Sequence, residues 1–127
     1  MLVRIETQRG SFAKRELAGG RLRVRFLSPL PCPFDYGQVE GEPAGDGMSR
    51  DAVWLGPAAT AGFAVEGIVA GIVRFQDGGA EDDKWVVTPD GVLAPRDRVR
   101  LARFFRLYAW AKRLRLSRAR FGGIEPR

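Results

Sequence analysis

The stretch DGGAEDDK, residues 77–84, places four carboxylates and one ammonium group within eight residues. Asp and Gly are common in turns, so a solvated loop is one interpretation of this stretch. The apolar residues Trp85, Val86 and Val87 follow at once, which indicates that the loop leads directly into a buried strand. Crowded carboxylates repel one another unless a cation neutralises them or their pKa values rise. A structural turn and a metal site therefore both remain open for residues 77–84.

Composition limits the classes of protein that the chain can belong to. Its 127 residues, 45% of them hydrophobic, are enough for one domain with its own core. The sequence has no apolar run of about 18 residues and no charged-then-apolar leader, so we expect neither a membrane span nor a signal peptide. The single cysteine, Cys32, cannot form an internal disulfide, which fits a reducing compartment. We therefore expect a cytoplasmic protein.

The chain contains no histidine. Ser–His and Cys–His nucleophile pairs are therefore excluded, as are zinc sites with histidine ligands. A four-cysteine zinc site is excluded too, because there is one thiol. Metal binding would rest on oxygen ligands, which suit Mg²⁺, Mn²⁺ or Ca²⁺.

Charge is distributed unevenly along the chain. Residues 96–127 carry a net charge of +9 and residues 1–95 carry −3, which together give the overall +6. A basic C-terminal segment that follows a small barrel in the sequence makes a nucleic-acid-binding module one alternative. The simpler interpretation is a basic helix face that is solvated or meets an acidic neighbouring subunit, because the aromatic residues there do not alternate with the arginines. We therefore do not expect nucleic acid as a partner.

Alternating hydrophobic and polar residues predict short strands over most of the first 95 residues. Segments 12–17 and 21–27 predict a hairpin around Gly19 and Gly20. In its second arm one face is expected to be buried, that of Leu22, Val24 and Phe26. The opposite face is a row of three arginines, Arg21, Arg23 and Arg25. Segments 28–37 and 41–49 are expected to be non-helical connections. Further strands are expected at residues 2–5, 52–55, 63–75 and 85–88, the third of these bent at Gly67 and Gly71.

From residue 96 to about residue 116 the pattern changes to that of a helix. An apolar stripe recurs at three- and four-residue spacing, made by Leu101, Phe104, Phe105, Tyr108 and Ala111. Many short strands followed by one helix predict a mainly β fold, a small barrel with a helix packed against it. We expect one domain, residues 1–127, with the barrel at about 1–95 and the basic helix at about 96–116.

Three separated segments together resemble the soluble family I inorganic pyrophosphatases: PFDYG at residues 33–37, DGMSRD at 46–51, and DGGAEDDK at 77–84. That family has a P-x-x-Y-G segment, a D-G-D-P-x-D signature ten residues after its tyrosine, and a later D-E-x-G-E-D-x-K loop. The chain keeps the ten-residue step from Tyr36 to Asp46. The resemblance covers about residues 6–108 and is that of a divergent, shortened member. It implies a five-stranded barrel of the oligonucleotide-binding type, Mg²⁺ as cofactor, inorganic diphosphate as substrate, and homo-oligomers (hexamers in bacteria).

The resemblance also implies roles for individual residues. Tyr36 and Lys84 match catalytic positions, and Glu6 matches an active-site position with a spacing that differs by one residue. The implied metal ligands are Asp46, Asp51, Asp77 and Asp82, which we expect to converge on one surface. The implied substrate ligands are Lys14, Glu16, Arg25, Lys84 and Tyr108.

The chain departs from the family pattern at several of these motifs. Met48 replaces the middle aspartate of the D-G-D-P-x-D signature, which resembles the position that orients the nucleophilic water. A thioether cannot accept a proton, so a general-base contribution of roughly 10²–10⁴-fold is missing from that side chain. Elsewhere Cys32, Gly78 and Ala109 replace a tyrosine, a glutamate and a lysine of the family.

Two enzyme hypotheses therefore remain. In the first, the chain is a working but divergent pyrophosphatase. In the second, it is a degenerate member that binds metal and phosphate but turns over slowly or not at all. The sequence leaves open whether another carboxylate, such as Asp35 or Asp83, takes the place of the missing aspartate.

Overall fold

The computed structural model describes residues 1–11, 13–27, 31–43, 49–77, 79–113 and 120–126. Within these ranges the chain forms mainly strands, with one helix towards the C-terminus. The elements are β1 (Leu2–Thr7), β2 (Ala13–Ala18), β3 (Arg21–Leu27), β4 (Asp35–Pro43), β5 (Ser49–Trp54), β6 (Ala64–Glu66), β7 (Ile68–Asp77), β8 (Ala80–Glu81), β9 (Lys84–Thr88), α1 (Pro95–Arg113) and β10 (Arg120–Pro126).

The main sheet has the strand order β10-β7-β9-β5-β4-β1-β6, and β8 pairs with the end of β7. Its pairs are antiparallel except β5 with β9, which run parallel. Strands β2 and β3 form a separate hairpin. Across the described residues the pairing runs from β10 to β6 without closing. The path contains more than the five strands implied by the resemblance, because the 63–75 run divides at Gly67 and β10 adds a strand beyond β7.

Both faces of the main sheet are covered by apolar side chains. Because neighbouring residues of a strand point to opposite faces, Ala52 and Val87 join one cluster while Val53 and Val86 join the other. The first cluster also contains Val3, Ile5, Val39 and Trp54. The second lies under the helix and contains Phe34, Tyr36, Val73, Phe75, Leu101, Phe105, Tyr108 and Ala109. The predicted mainly β fold with a C-terminal helix is therefore confirmed.

Helix α1 begins where the sequence signals predict it. Pro95 occupies the first helical position, Asp97 lies in the first turn, and the Ala94 carbonyl accepts hydrogen bonds from the N–H groups of Asp97 and Arg98 at 3.0 Å. The predicted apolar stripe is the side that packs on the sheet, since Leu101 and Phe105 are almost fully buried. Neither α1 nor any other helical segment in the described part of the chain is apolar enough to span a membrane.

Three strands were not predicted from the sequence: β4, the two-residue β8 within the acidic loop, and β10. Strand β4 was missed because prolines precede residue 35 and glycines lie near residue 41. The strand covers the end of the first expected connection and the start of the second. Strand β10 contains Gly122 and Gly123, which are unusual in a strand interior, and its pairing with β7 shifts register there.

The predicted β2–β3 hairpin is confirmed, but the prediction of a buried face on β3 was wrong. Val24 is 56% exposed and Leu22 is only partly buried. The reason is topological: the two-stranded hairpin lies outside the main sheet, so it has less apolar surface to cover.

Gly37 is the glycine whose lack of a side chain matters most for the pairing of β1 with β4. A Cβ at this position would collide with the backbone carbonyl oxygen of Arg4. We expect Gly37→Ala to lower the free energy of unfolding by about 2–3 kcal/mol, because two central strands must move apart. Urea denaturation measures this loss.

Gly122→Ala is the control. It should lower the free energy of unfolding less, since its Cβ would lie 3.2 Å from the Arg74 side chain at the sheet edge. Equal losses of free energy in the two variants would contradict the prediction.

Candidate functional site

Lys84 lies at the centre of a charged cluster on the main sheet. It starts β9 and is in register with Asp51 on the parallel neighbour β5, so the two side chains lie next to each other. Its Nζ is 3.2 Å from Oδ2 of Asp51 and 2.8 Å from Oδ2 of Asp82. The Lys84 side chain is 1% exposed, whereas those of Asp51 and Asp82 are 25% and 39% exposed. One buried ammonium group therefore neutralises two carboxylates that face solvent.

Tyr36 approaches the same carboxylate from the other side. It lies on β4 next to β5, and its hydroxyl donates a hydrogen bond of 2.8 Å to Oδ2 of Asp51. Burial raises the pKa of Tyr36 well above its usual value, and the charges of Asp51 and Asp82 raise it further. The phenol therefore stays protonated near neutral pH and acts as a hydrogen-bond donor, not as a base.

A second cation adjoins this cluster. Lys14 on β2 places its Nζ 3.3 Å from the Tyr108 hydroxyl on α1 and 4.5 Å from the centre of the Tyr36 ring. Tyr108 is 5% exposed and packs on Phe75 within the core under the helix. Residues that are 94 positions apart in the chain are thus brought together beside the Lys84 cluster.

Glu6 is a buried carboxylate whose charge interacts with those of Lys14 and Asp51. It is 4% exposed, and its Oε2 accepts a hydrogen bond of 2.6 Å from the Leu17 N–H. Burial raises the pKa of Glu6; the Leu17 hydrogen bond lowers it, and the charges of Asp51 and Glu16 raise it again. Glu16, half-buried on β2, is therefore close to Glu6, as expected for two residues assigned to one site.

The expected convergence of four aspartates can be followed for Asp51 and Asp82, which meet at Lys84. Asp46 lies outside the described residues, as does Met48, and the side chains of Asp77 and Arg25 lie outside the described part as well. Among the described side chains, no group of three or more carboxylates or thiols is close enough to hold a metal ion.

Asp35 is committed to a structural role. It is fully buried and accepts hydrogen bonds from the backbone N–H of Arg9 at 2.9 Å, from the Arg9 guanidinium at 2.7 and 3.0 Å, and from the Ala59 N–H at 3.0 Å. Three of these bonds fix the start of β4 to the β1–β2 connection, and the fourth fixes it to the connection between β5 and β6. Asp35 is therefore no replacement for the aspartate missing at Met48.

Asp83 is committed in a similar way. It accepts a 3.0 Å hydrogen bond from the Phe75 N–H and a 2.7 Å hydrogen bond from the Arg74 guanidinium. Arg74 also pairs with Glu125 at 2.7 Å, which links the acidic loop to β10. These two consecutive aspartates thus have different roles: Asp82 contacts Lys84, and Asp83 holds the loop in place.

Comparison with known proteins finds a relative by sequence. The chain is 32% identical over 99 residues to an inorganic pyrophosphatase of Gluconobacter oxydans, a match that covers 74% of this chain. The chain is a divergent relative of the inorganic pyrophosphatases. The match covers 57% of the Gluconobacter protein's length. No family model matches the chain.

Solved inorganic pyrophosphatases have the same fold. The Helicobacter pylori enzyme superposes with a TM-score of 0.86 at 24% identity, over 100% of this chain and 84% of its own. The Thermus thermophilus enzyme gives 0.86 at 22% identity, over 100% and 82%. The Coxiella burnetii protein gives 0.84 at 23% identity, over 99% and 85%. The chain therefore has the fold of these solved inorganic pyrophosphatases.

One feature next to the Lys84 cluster was not predicted from the sequence. A pocket opens between Lys14, Tyr36 and Tyr108 and continues along Cys32, Phe104 and Phe105. The signal was present in the replacement of a family tyrosine by Cys32, because a smaller side chain leaves space. Substitution alone does not reveal a pocket, since neighbouring side chains can close over the gap.

Proposed function

We propose that the protein hydrolyses inorganic diphosphate to two phosphates in a Mg²⁺-dependent reaction. The observation that carries the proposal is the cluster in which Lys84 contacts Asp51 and Asp82 while Tyr36 donates to Asp51. Diphosphate is a dense anion, so its hydrolysis depends on positive charge and hydrogen-bond donors held in place around the phosphates.

The donor set fits a hard divalent cation. Asp51 and Asp82 supply carboxylate oxygens, which Mg²⁺ prefers as ligands. Both contact the Lys84 ammonium group, which supports the proposal that together they bind a cation. We assign them as Mg²⁺ ligands together with Asp46 and Asp77. When bound, Mg²⁺ neutralises phosphate charge and makes a bound water more acidic.

We assign roles in binding the substrate to the remaining residues of the site. Lys14, Lys84 and Arg25 supply positive charge to the phosphate oxygens, and the Tyr108 hydroxyl, 3.3 Å from Lys14 Nζ, supplies a donor. Tyr36 fixes the orientation of Asp51 through its 2.8 Å hydrogen bond. Glu6 interacts electrostatically with Lys14 and with Glu16, and we assign both glutamates to the surroundings of that cation. These further groups are assigned to substrate binding and orientation.

A second candidate is a protein with the same binding site but weak or no turnover. It is favoured by Met48, whose thioether cannot take the proton of an attacking water. The sequence left open two aspartates as replacements for the missing one, Asp35 and Asp83. Both accept hydrogen bonds from other partners. Both candidates share the binding chemistry and differ in rate.

Two further assignments accompany the proposed activity. We assign the protein to the cytoplasm, which is consistent with one unpaired thiol in the sequence. We also assign it a homo-oligomeric state, with which a hexamer is compatible. Val99, Leu107 and Trp110 support this, because they project from one side of α1 and each is more than half exposed.

Phosphate release from diphosphate tests the proposed function. Purified protein with millimolar Mg²⁺ should release phosphate, and excess chelator should stop the release. p-Nitrophenyl phosphate, a monoester without an anhydride bond, serves as the control substrate and should be cleaved far more slowly. Absence of release from diphosphate together with retained Mg²⁺-dependent binding would favour the second candidate, and absence of both would overturn the proposal.

A further inference from the structure

A polar cleft lies beside the Lys84 cluster on the main sheet. Alternate residues of two neighbouring strands line it, Arg4 and Glu6 on β1 and Gln38 and Glu40 on β4. Its volume is about 460 Å³, within the range of small-molecule sites. The cleft is therefore large enough for a small organic ligand.

The strand register places this cleft next to the proposed Mg²⁺ ligands. Gln38 pairs with Arg4 on one side and with Asp51 on the other, and Asp51 pairs with Lys84. Paired residues of neighbouring strands point to the same face of a sheet, so these four side chains form one row. Gln38 is therefore one strand spacing, about 5 Å, from Asp51, and Arg4 is two spacings away. A ligand in the cleft would adjoin a phosphate bound at the Lys84 cluster.

The cleft offers hydrogen-bond acceptors that the protein does not use itself. Oε2 of Glu6 accepts from the Leu17 N–H, but no described residue donates to Oε1. That oxygen is accessible, because every fully enclosed polar side-chain atom in the described part of the chain has a partner. Glu40 pairs with Arg4 through Oε1, and neither its Oε2 nor the Gln38 amide bonds to a residue within the described ranges. The cleft therefore favours a ligand that donates hydrogen bonds.

The charges in the cleft are largely balanced. The Glu40 carboxylate pairs with the Arg4 guanidinium at 2.6 Å, and that guanidinium also donates to the Gly62 carbonyl at 3.1 Å. Burial raises the pKa of Glu6, which disfavours the charged form of this carboxyl. Neutral donors such as hydroxyl groups therefore fit the cleft better than an ammonium group does.

We infer that this cleft binds the hydroxyl-rich organic group of a sugar phosphate whose phosphate lies at the Lys84 cluster. A five-carbon sugar attached to the phosphate spans the one to two strand spacings from Asp51 to the row of Gln38 and Arg4. Its hydroxyls donate to Glu6 and Glu40, as acidic side chains of other proteins hold ribose hydroxyls. The inference rests on the proposed function for the position of the phosphate. The ligands of the site would then extend beyond inorganic diphosphate.

Calorimetric titration with ribose 5-phosphate and tetrahydrofurfuryl phosphate, in millimolar Mg²⁺, tests the binding directly. The two probes share a phosphate group and a five-membered ring, but only the first carries ring hydroxyls. Ribose 5-phosphate should bind the unaltered protein about tenfold more tightly, which corresponds to about 1.4 kcal/mol. A ratio below about threefold, or no binding of either probe, would overturn the inference. Tighter binding of phosphoethanolamine, which has an ammonium group in place of the sugar, would also overturn it.

Substitutions on β4 test whether the preference arises in the cleft. Gln38→Leu and Glu40→Ala each remove a hydrogen-bonding group and should each reduce the ratio at least about threefold. Gln76→Leu is the matched control and should keep the ratio, because it makes the same change at an exposed position of β7, three strands from β4. Circular dichroism identifies the variants that are folded. An unchanged ratio in both folded β4 variants would overturn the assignment of the cleft.

Phosphate release from diphosphate, measured on the same samples, keeps the two proposals distinct. Release with equal affinities for the two ring probes would remove the sugar site and leave the proposed function. A tenfold preference for ribose 5-phosphate without any release would support the sugar site and remove the proposed hydrolysis.

Discussion

Met48→Asp should raise the rate of phosphate release from diphosphate by about 10²–10⁴-fold. An aspartate at this position restores a carboxylate that can accept the proton of an attacking water, which a thioether cannot do. The contacts of Asp35 and Asp83 strengthen this expectation, because arginine side chains and backbone N–H groups already engage both carboxylates. The measurement is kcat for diphosphate at saturating Mg²⁺, for the variant and the unaltered protein in one assay.

Met48→Asn is the matched control for that substitution. Asparagine has nearly the shape of aspartate but does not act as a base, so its rate should stay close to that of the unaltered protein. An equal gain in both variants would mean that polarity at residue 48 matters and proton transfer does not. An unchanged rate in Met48→Asp would contradict the expectation and would make Glu6, buried near Asp51, the next residue to replace.

Asp35→Ala should produce the largest loss of stability, about 3 kcal/mol in the free energy of unfolding. The substitution removes the acceptor of four hydrogen bonds and leaves the N–H groups of Arg9 and Ala59 without their partner. Breaking a buried ion pair by removing one member costs about 3–5 kcal/mol. The lower end applies because the Arg9 side chain is 38% exposed and can be rehydrated.

Urea denaturation measures this loss, and Glu40→Ala is its control. Glu40 pairs with Arg4 at 2.6 Å, but both side chains are about one-third exposed, so that pair should contribute less than about 1 kcal/mol. Under conditions where the Asp35→Ala variant is folded, it should keep its phosphate-release rate, since Asp35 has a structural role. A stable but inactive Asp35→Ala variant would contradict that role.

Sequence patterns predicted the elements whose signals are local. The apolar stripe through Leu101, Phe105 and Tyr108 predicts α1, because helical periodicity is fixed by backbone geometry. The hairpin of β2 and β3 follows from Gly19 and Gly20 at its turn, which both have positive φ. Strand β4 was missed because it extends into segments rich in proline and glycine, where pairing with β1 and β5 overrides local preference.

The candidate site was predicted in its residues but not in its contacts. Motif spacing identified Asp51, Asp82 and Lys84, yet nothing in the sequence says that the Lys84 ammonium contacts both carboxylates. That contact depends on the parallel register of β5 with β9, which joins residues 33 positions apart. The pocket behind Cys32 is likewise a consequence of packing between α1 and the connection before β4, and packing is not encoded in any single motif.

The most direct test of the proposed function is phosphate release from saturating diphosphate as a function of Mg²⁺ concentration, for the unaltered protein and for Asp51→Asn. Asparagine keeps the size of the side chain but removes the charge that contacts Lys84 and accepts from Tyr36. We expect saturable activation by Mg²⁺ in the unaltered protein, and a loss of at least about 10²-fold in the variant because charge at the reacting phosphates is no longer balanced. Release that does not depend on Mg²⁺, or that is equal in both proteins, would contradict the assignment of this cluster as a diphosphate-hydrolysing site.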